Sequence, residues 1–289
     1  MDAWSGAVGL PLIGAVLHPL LGLLVQRATK LGVRQPVILG FANLMTLAIF
    51  SVYLRPDFSA EFSFIDVLAV ISGLCFFGGQ WFAVQAVRNG DLVVNSSAMG
   101  SKVLIVAVLS ASVGLEKAGI GLIAGALLAA AAVYLVTGAT AERWKANRVT
   151  LWLTLGACVF FALADFMVGW KSRETGAARW LIIMMGTSGA VSVFMLIPRW
   201  EQVKLALSER STALPVLGAG VLMGLQALVV NMAFSIFGEP TLSNIAYSTR
   251  GVMAVFIVWT ITKRGRSGMG VRQLAGAALM VLALAVALM

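Results

Sequence analysis

The stretch RNGDLVVNSSAMGSK (88–102) returns later in the chain as IFGEPTLSNIAYSTR (236–250). At the constant offset of 148, Gly90 lies over Gly238, Asp91 over Glu239, Ala98 over Ala246, Ser101 over Thr249 and Lys102 over Arg250. Each copy leads into a long apolar run and carries a basic residue eleven positions past an acidic one. At 1.5 Å per residue, that spacing puts each cation about 16 Å along a helix, near the middle of a hydrocarbon core about 30 Å thick. A charge at that depth costs about 2.5–3.5 kcal/mol on insertion scales, so two of them at matched positions ask for a reason.

Working outward, the rest of the chain agrees with a membrane setting. Of 289 residues 60% are hydrophobic and 11% charged, and the mean hydropathy is +0.95. Soluble domains carry roughly 25% charged residues. Ten apolar segments are each long enough to cross, near 5–26, 36–54, 65–87, 92–113, 118–138, 150–170, 179–197, 213–236, 240–262 and 270–288. No useful period-two alternation occurs, and lipid admits only helices or closed barrels, so the expected class is an all-α integral membrane protein. The polar break AERWKANR (141–148) divides the segments five and five. Further matches follow the same order: IAGALL (123–128) over LAGAAL (274–279), and GAVLHPLLGLL (14–24) weakly over GACVFFALADF (156–166). The expected architecture is therefore ten transmembrane helices as two inverted five-helix repeats around a central cavity, 1–138 and 150–289, joined by a linker at 139–149. An odd number of helices per half inverts the second half, and such repeats place solute sites near the midplane between them.

Charge decides the expected orientation. The face bearing both termini holds Arg55, Lys117, Lys171, Arg173 and Arg179, whereas fourteen Lys and Arg residues lie on the other. Basic loops stay in the cytoplasm, so this count puts both termini outside in a multi-pass cell (inner) membrane protein. It also explains a pI near 10.2 by an anionic leaflet, with no aromatic-and-basic platform for nucleic acid. Cys75 and Cys158 fall in apolar segments with no metal or redox spacing, and neither a metal nor another cofactor is expected. MDAW has no basic n-region, so the first segment reads as a retained helix.

Helical spacing then gathers the polar groups. Asn95, Met99 and Lys102 share one face, and Ser243, Tyr247 and Arg250 repeat that face with Asn244 beside it. Two facing cations repel unless an anion joins them; Arg grips carboxylate or phosphate with two parallel bonds and Lys acts as a point charge. Asp165 is the carboxylate placed well inside a span, and it offers either a brace for the cations or a coupling group. Gln80, Trp81 and Gln85 on the third segment, with Gln226 and Asn231 on the eighth, are candidate lining residues or interhelical glue. His18 precedes Pro19, which suits a local kink, a gate or a proton sensor.

SVGLEKAGIGLIAGALLAAAAVYLV (112–136), a span with a Gly-Leu-Glu turn and a Gly/Ala-rich closing helix, resembles the end of an EamA-type half. With the paired halves, the chain resembles the drug/metabolite transporter superfamily over essentially its whole length. That resemblance implies ten helices around a central cavity, alternating access, and peripheral fifth and tenth helices. In the phosphate-translocator branch, basic residues on helices four and nine hold an anionic substrate, which carries over to Lys102 and Arg250. The chain departs from the pattern at TKRGRSG (262–268), which has no acidic turn. It departs again in a first helix without a Glu, unlike the small multidrug branch, and in termini that the family usually keeps inside.

The expected function is secondary transport of a small anionic or zwitterionic metabolite, such as an amino acid, carboxylate or phosphorylated compound. Lys102 and Arg250 would form the site, and the partners are the solute, the lipid bilayer and a possible coupling proton or ion. An exporter of cationic drugs or quaternary amines using Asp165 is the alternative, and a non-transport membrane protein the next. An enzyme is not expected, since HExxH, GxSxG and clustered His, Cys or carboxylate sets are missing from the sequence.

Overall fold

A computed structural model describes residues 3–89, 95, 98–115, 119–137, 148–261 and 271–287. The Gly90 and Asp91 matches, Glu116 of the Gly-Leu-Glu turn, most of the 139–149 linker and TKRGRSG lie outside the described residues. Every described element is helical: α1 (Ala3–Lys30), α2 (Gln35–Tyr53), α3 (Phe64–Asn89), α4 (Lys102–Ser112), α5 (Ile120–Thr137), α6 (Arg148–Thr175), α7 (Ala177–Leu196), α8 (Trp200–Ser208), α9 (Arg210–Phe237), α10 (Pro240–Ser248), α11 (Arg250–Ile261) and α12 (Val271–Ala287). Six stretches are long and apolar enough to cross a membrane: Gly6–Lys30, Gln35–Tyr53, Phe64–Arg88, Arg148–Thr175, Ala177–Ser208 and Arg210–Phe237. The chain is an all-α, multi-pass membrane protein.

Local chemistry sets the helix ends. Gly176, at φ +86°, is the single residue between α6 and α7, a left-handed turn that a side chain would strain. Gly238, at φ +67°, ends α9 and returns its N–H to Phe234 O at 3.0 Å. Beside it, Arg173 donates to the carbonyls of Ser235 (3.3 Å) and Ile236 (3.0 Å), which α9 leaves without donors. Burial pushes the neighbouring Glu239 carboxyl above its ordinary value, and the Arg173 charge pulls it back. Pro19 lies inside α1, where its missing N–H leaves the Ala15 carbonyl without a helical donor, yet the helix runs on to Lys30.

Packing relies on small residues and polar glue, as expected where lipid removes the hydrophobic drive between helices. The principal pairs are α3 with α6, α1 with α9, α5 with α12, α2 with α9, α2 with α7 and α3 with α7. Along α3 and α6, rings fill glycine notches: a Cβ on Gly79 would meet Phe161 Cδ1 at 2.7 Å, and one on Gly156 would meet Phe82 Cδ1 at 3.1 Å. Across α2, α7 and α3 runs a hydroxyl chain, Asn43 Nδ2 to Ser192 Oγ at 3.0 Å and Ser188 Oγ to Gly73 O at 2.8 Å. Ala7 and Ala287 share one buried cluster with Leu242, so α1 begins and α12 ends at the same end of the bundle.

Two expectations need correction. PRWEQVKLALSERS (198–211), the polar break between the apolar segments near 179–197 and 213–236, contains α8, whose Val203 and Ala206 are buried while Trp200 and Leu205 stay exposed. Its three-residue apolar spacing makes a short amphipathic helix where only a loop was expected. The apolar segments near 92–113 and 240–262 are also not continuous α-helices. Each changes geometry in the residues just before its cation.

Candidate functional site

Hydroxyl side chains mark both changes of geometry. In the first, a 3₁₀ turn spans Met99–Ser101, and the Ser101 hydroxyl donates to Ala98 O at 2.8 Å. In the second, the Thr249 N–H and hydroxyl both donate to Ala246 O, at 3.2 and 2.7 Å. A hydroxyl turned back on its own helix favours the tighter three-residue spacing and bends the axis. Sequence-equivalent residues thus tighten sequence-equivalent turns, and the next residue in each case is the cation. Arg250 Nη2 then reaches across to Met99 O at 3.0 Å, joining the two interrupted segments.

Both cations are buried, Lys102 at 4% and Arg250 at 1% exposure, and their electrostatics differ. Lys102 Nζ donates to Asp165 Oδ2 at 2.5 Å, a buried ion pair between α4 and α6. Arg250 makes no ion pair among the described residues. Its guanidinium lies over the Tyr247 ring, 4.1 Å from centroid to Cζ, and its Nε has no hydrogen-bond partner. Lys102 lies 5.4 Å from the same ring and 5.8 Å from that of Phe161. Two positive charges against one negative leave the site a net positive charge, in surroundings where charge is weakly screened.

These groups line a cavity of about 80 Å³. Its wall combines His18, Gln80, Asn95, Lys102, Asp165, Gln226, Asn231, Tyr247 and Arg250 with an apolar side that includes Phe76, Phe161, Met223 and Val230. Several lining polar atoms are buried without a partner: His18 Nε2, Gln80 Oε1, Asn95 Nδ2, Gln226 Oε1 and Asn231 Oδ1. Buried polar groups normally find partners, and here several unpartnered ones share one cavity wall. Gln226 Nε2 donates to Tyr247 Oη at 2.6 Å, and Tyr247 Oη lies 3.3 Å from His18 Nδ1. The Thr154 hydroxyl holds Asn95 through its Oδ1 at 2.9 Å.

Three expected residues do not reach the cavity wall. On α3 the wall takes Phe76, Gln80, Ala83, Val84 and Val87, one helical face, which turns Trp81 and Gln85 to the adjacent one. There Trp81 stacks on Phe77 at 6.5 Å, and its carbonyl accepts from Gln35. Asn244 bonds back to Pro240 O at 2.9 Å. Phe161 and the Met99 carbonyl are contributors that the residue pattern did not single out. A Phe in an apolar span carries no signal, and a carbonyl becomes a contact only through the tightened turn.

No family model and no curated protein matches the sequence. Among solved structures, 25 chains match; one, described as "Crystal structure of protein", superposes with a TM-score of 0.67 at 16% identity, covering 98% of each chain. At that identity the likeness is one of fold, over the whole length.

Proposed function

We propose that the chain is a secondary transporter of the drug/metabolite transporter type that carries a small anionic or zwitterionic metabolite by alternating access. The observation that carries this reading is Arg250: a guanidinium 1% exposed, lining the cavity, with an unpartnered Nε and no ion pair among the described residues. A bound carboxylate or phosphate would supply the missing charge and acceptors. Lys102, held by Asp165, supplies field at short range and can share the anion.

Ten crossings in two inverted halves fit this reading. Exchanging the halves turns the α3–α6 contact into α9–α1 and α3–α7 into α9–α2, and leaves α5–α12 and α2–α7 in place; all are packed pairs. Both chain ends at one end of the bundle require an even number of crossings. The cavity wall runs toward the end where α1 and α3 finish, through Val25 and Val87. On the other side Phe166, Phe234 and Tyr247 pack in one buried cluster. With basic loops in the cytoplasm, the chamber then faces inward.

A cation exporter built on Asp165 is less well supported, because Lys102 already neutralises that carboxylate. The test is a melting screen of purified protein against carboxylates, amino acids, phosphate esters and quaternary amines, repeated on Lys102→Gln and Arg250→Gln. Anions should stabilise the parent, Lys102→Gln less, and Arg250→Gln not at all. Stabilisation by quaternary amines alone, lost in Asp165→Asn, would reverse the assignment.

A further inference from the structure

We propose that His18 is the proton site of the transport cycle, and that the anion held at Arg250 crosses together with a proton carried on the His18 imidazole. The inference rests on the anion reading above and adds the coupling ion.

His18 is 8% exposed, lines the cavity and leaves its Nε2 without a partner. It is the one histidine in the chain. It and Arg250 flank the same aromatic ring: the His18 and Tyr247 centroids are 6.1 Å apart, and Arg250 Cζ is 4.1 Å from the Tyr247 centroid. The charged groups that face it are Arg250 from α11, Lys102 from α4 and Asp165 from α6. From α3 and α9 come the amides of Gln80, Gln226 and Asn231. The adjoining α2 has no Asp, Glu, Lys or Arg.

Charge count links the two ligands. A proton on His18 adds a positive charge to this chamber, and a bound anion subtracts one. Each therefore favours the other's binding, and the coupling is reciprocal. The hydrogen bonds supply a route. Tyr247 Oη accepts from Gln226 Nε2, and its single proton can go to His18 Nδ1. When a proton from water in the open chamber occupies the imidazole, Nδ1–H becomes the donor. Tyr247 Oη then accepts from both Gln226 and His18, and its own O–H turns to the anion on Arg250. Release of the anion on the far side reverses the turn and returns the proton to water, so one proton and one anion move together and no covalent bond is made.

The experiment uses full-length protein purified without a histidine tag, and benzoate, an aromatic monocarboxylate suited to a wall of Phe76, Phe161 and Met223. Calorimetry in two buffers of different protonation heat should show net proton uptake approaching one per benzoate, with Kd rising up to about tenfold per pH unit. Labelled histidine gives a signal from His18 alone, which should move toward the imidazolium position when benzoate is added at fixed pH. His18→Gln should bind benzoate without proton uptake. Benzoate binding with no uptake, an unmoved His18 signal, or uptake that survives His18→Gln each overturns the proposal. If His18→Gln does not fold, the histidine signal of the parent decides. Should the parent bind neither benzoate nor any anion of the melting screen, the anion reading itself falls, and the proton site with it.

Discussion

Removing one partner of the Lys102–Asp165 pair separates its structural role from its functional one. In Asp165→Asn, Lys102 keeps its 4% exposure but loses the carboxylate charge that lies at 2.5 Å, with at most a neutral amide oxygen in its place. What remains nearby are the faces of Tyr247 at 5.4 Å and Phe161 at 5.8 Å, and the like charge of Arg250. Those ring contacts are already made in the parent and offset nothing, while a broken buried pair costs about 3–5 kcal/mol. At 2–4 °C per kcal/mol for chains of 150–250 residues, the single variant should melt about 6–20 °C below the parent. The double variant Lys102→Met/Asp165→Leu removes both charges together, and swapping a buried pair for apolar groups is often neutral or stabilising. It should regain most of that loss; with Lys102→Met and Asp165→Leu as its single variants, the cycle should give a coupling energy of about 2–4 kcal/mol.

The assay is thermal unfolding of the parent, Asp165→Asn, Lys102→Met, Asp165→Leu and the double variant in one detergent, followed by anion stabilisation of each folded variant. A transport site predicts that the double variant recovers its melting temperature but responds less to anions, since Lys102 has gone. A pure brace predicts recovery of both. An Asp165→Asn protein that melts within 2 °C of the parent would refute the reasoning, because the pair would then be neither buried nor energetically coupled.

Arg179→Gln should loosen the opposite end of the bundle. Arg179 grips Asp66 through two bonds at 3.0 and 2.8 Å and holds the carbonyls of Ala60 (2.9 Å) and Glu61 (3.0 Å), so its loss leaves the Asp66 carboxylate without a counter-charge, held only by the Ser63 N–H and hydroxyl. A cost of about 3–5 kcal/mol and faster proteolysis near 55–63 are expected; an unchanged digestion pattern counts against it. Gly125→Ala should wedge α5 from α12, since a Cβ there meets Ala283 O at 2.7 Å, backbone that cannot rotate away. Overpacking of about 1–3 kcal/mol should lower the melting temperature and leave anion affinity alone; a shift in affinity would show that α5 is not peripheral.

Much of the fold was legible because membrane constraints are coarse. Length, hydropathy and the absence of alternation suffice for helices, and observed ends differ from expected ones by a few residues, as with α1 ending at Lys30. The positions of Lys102, Arg250 and Asp165 in one chamber were legible too, since a charge in a span has few places to point. What stayed hidden was geometry finer than a helical wheel. The wheel puts Gln80 and Trp81 100° apart, but nothing in the residue types says which of those faces α3 turns to the cavity. The tightened turns were also silent. Ser101 and Thr249 are ordinary residues whose effect appears only when their hydroxyls find Ala98 O and Ala246 O. The helix in PRWEQVKLALSERS was missed because its charges outweighed a short apolar face.

On the proposed transport reading, the matched turns and the unmatched charges account for how such a site would work. Equivalent hydroxyls shape equivalent bends, so both cations start from the same backbone position in their segments. If both were also neutralised alike, the chamber would be a closed polar brace with nothing left to bind. Asp165 breaks that equality: the residue at its place in the 14–24 over 156–166 alignment is Leu23, so one half has a carboxylate where the other has none. Lys102 is thereby satisfied within the protein, and Arg250 is left to a guest. On that reading the guest's charge, rather than a fixed side chain, completes the electrostatics, and loaded and empty chambers would differ by a buried charge. That difference is what a two-state bundle needs if solute is to decide which way it faces.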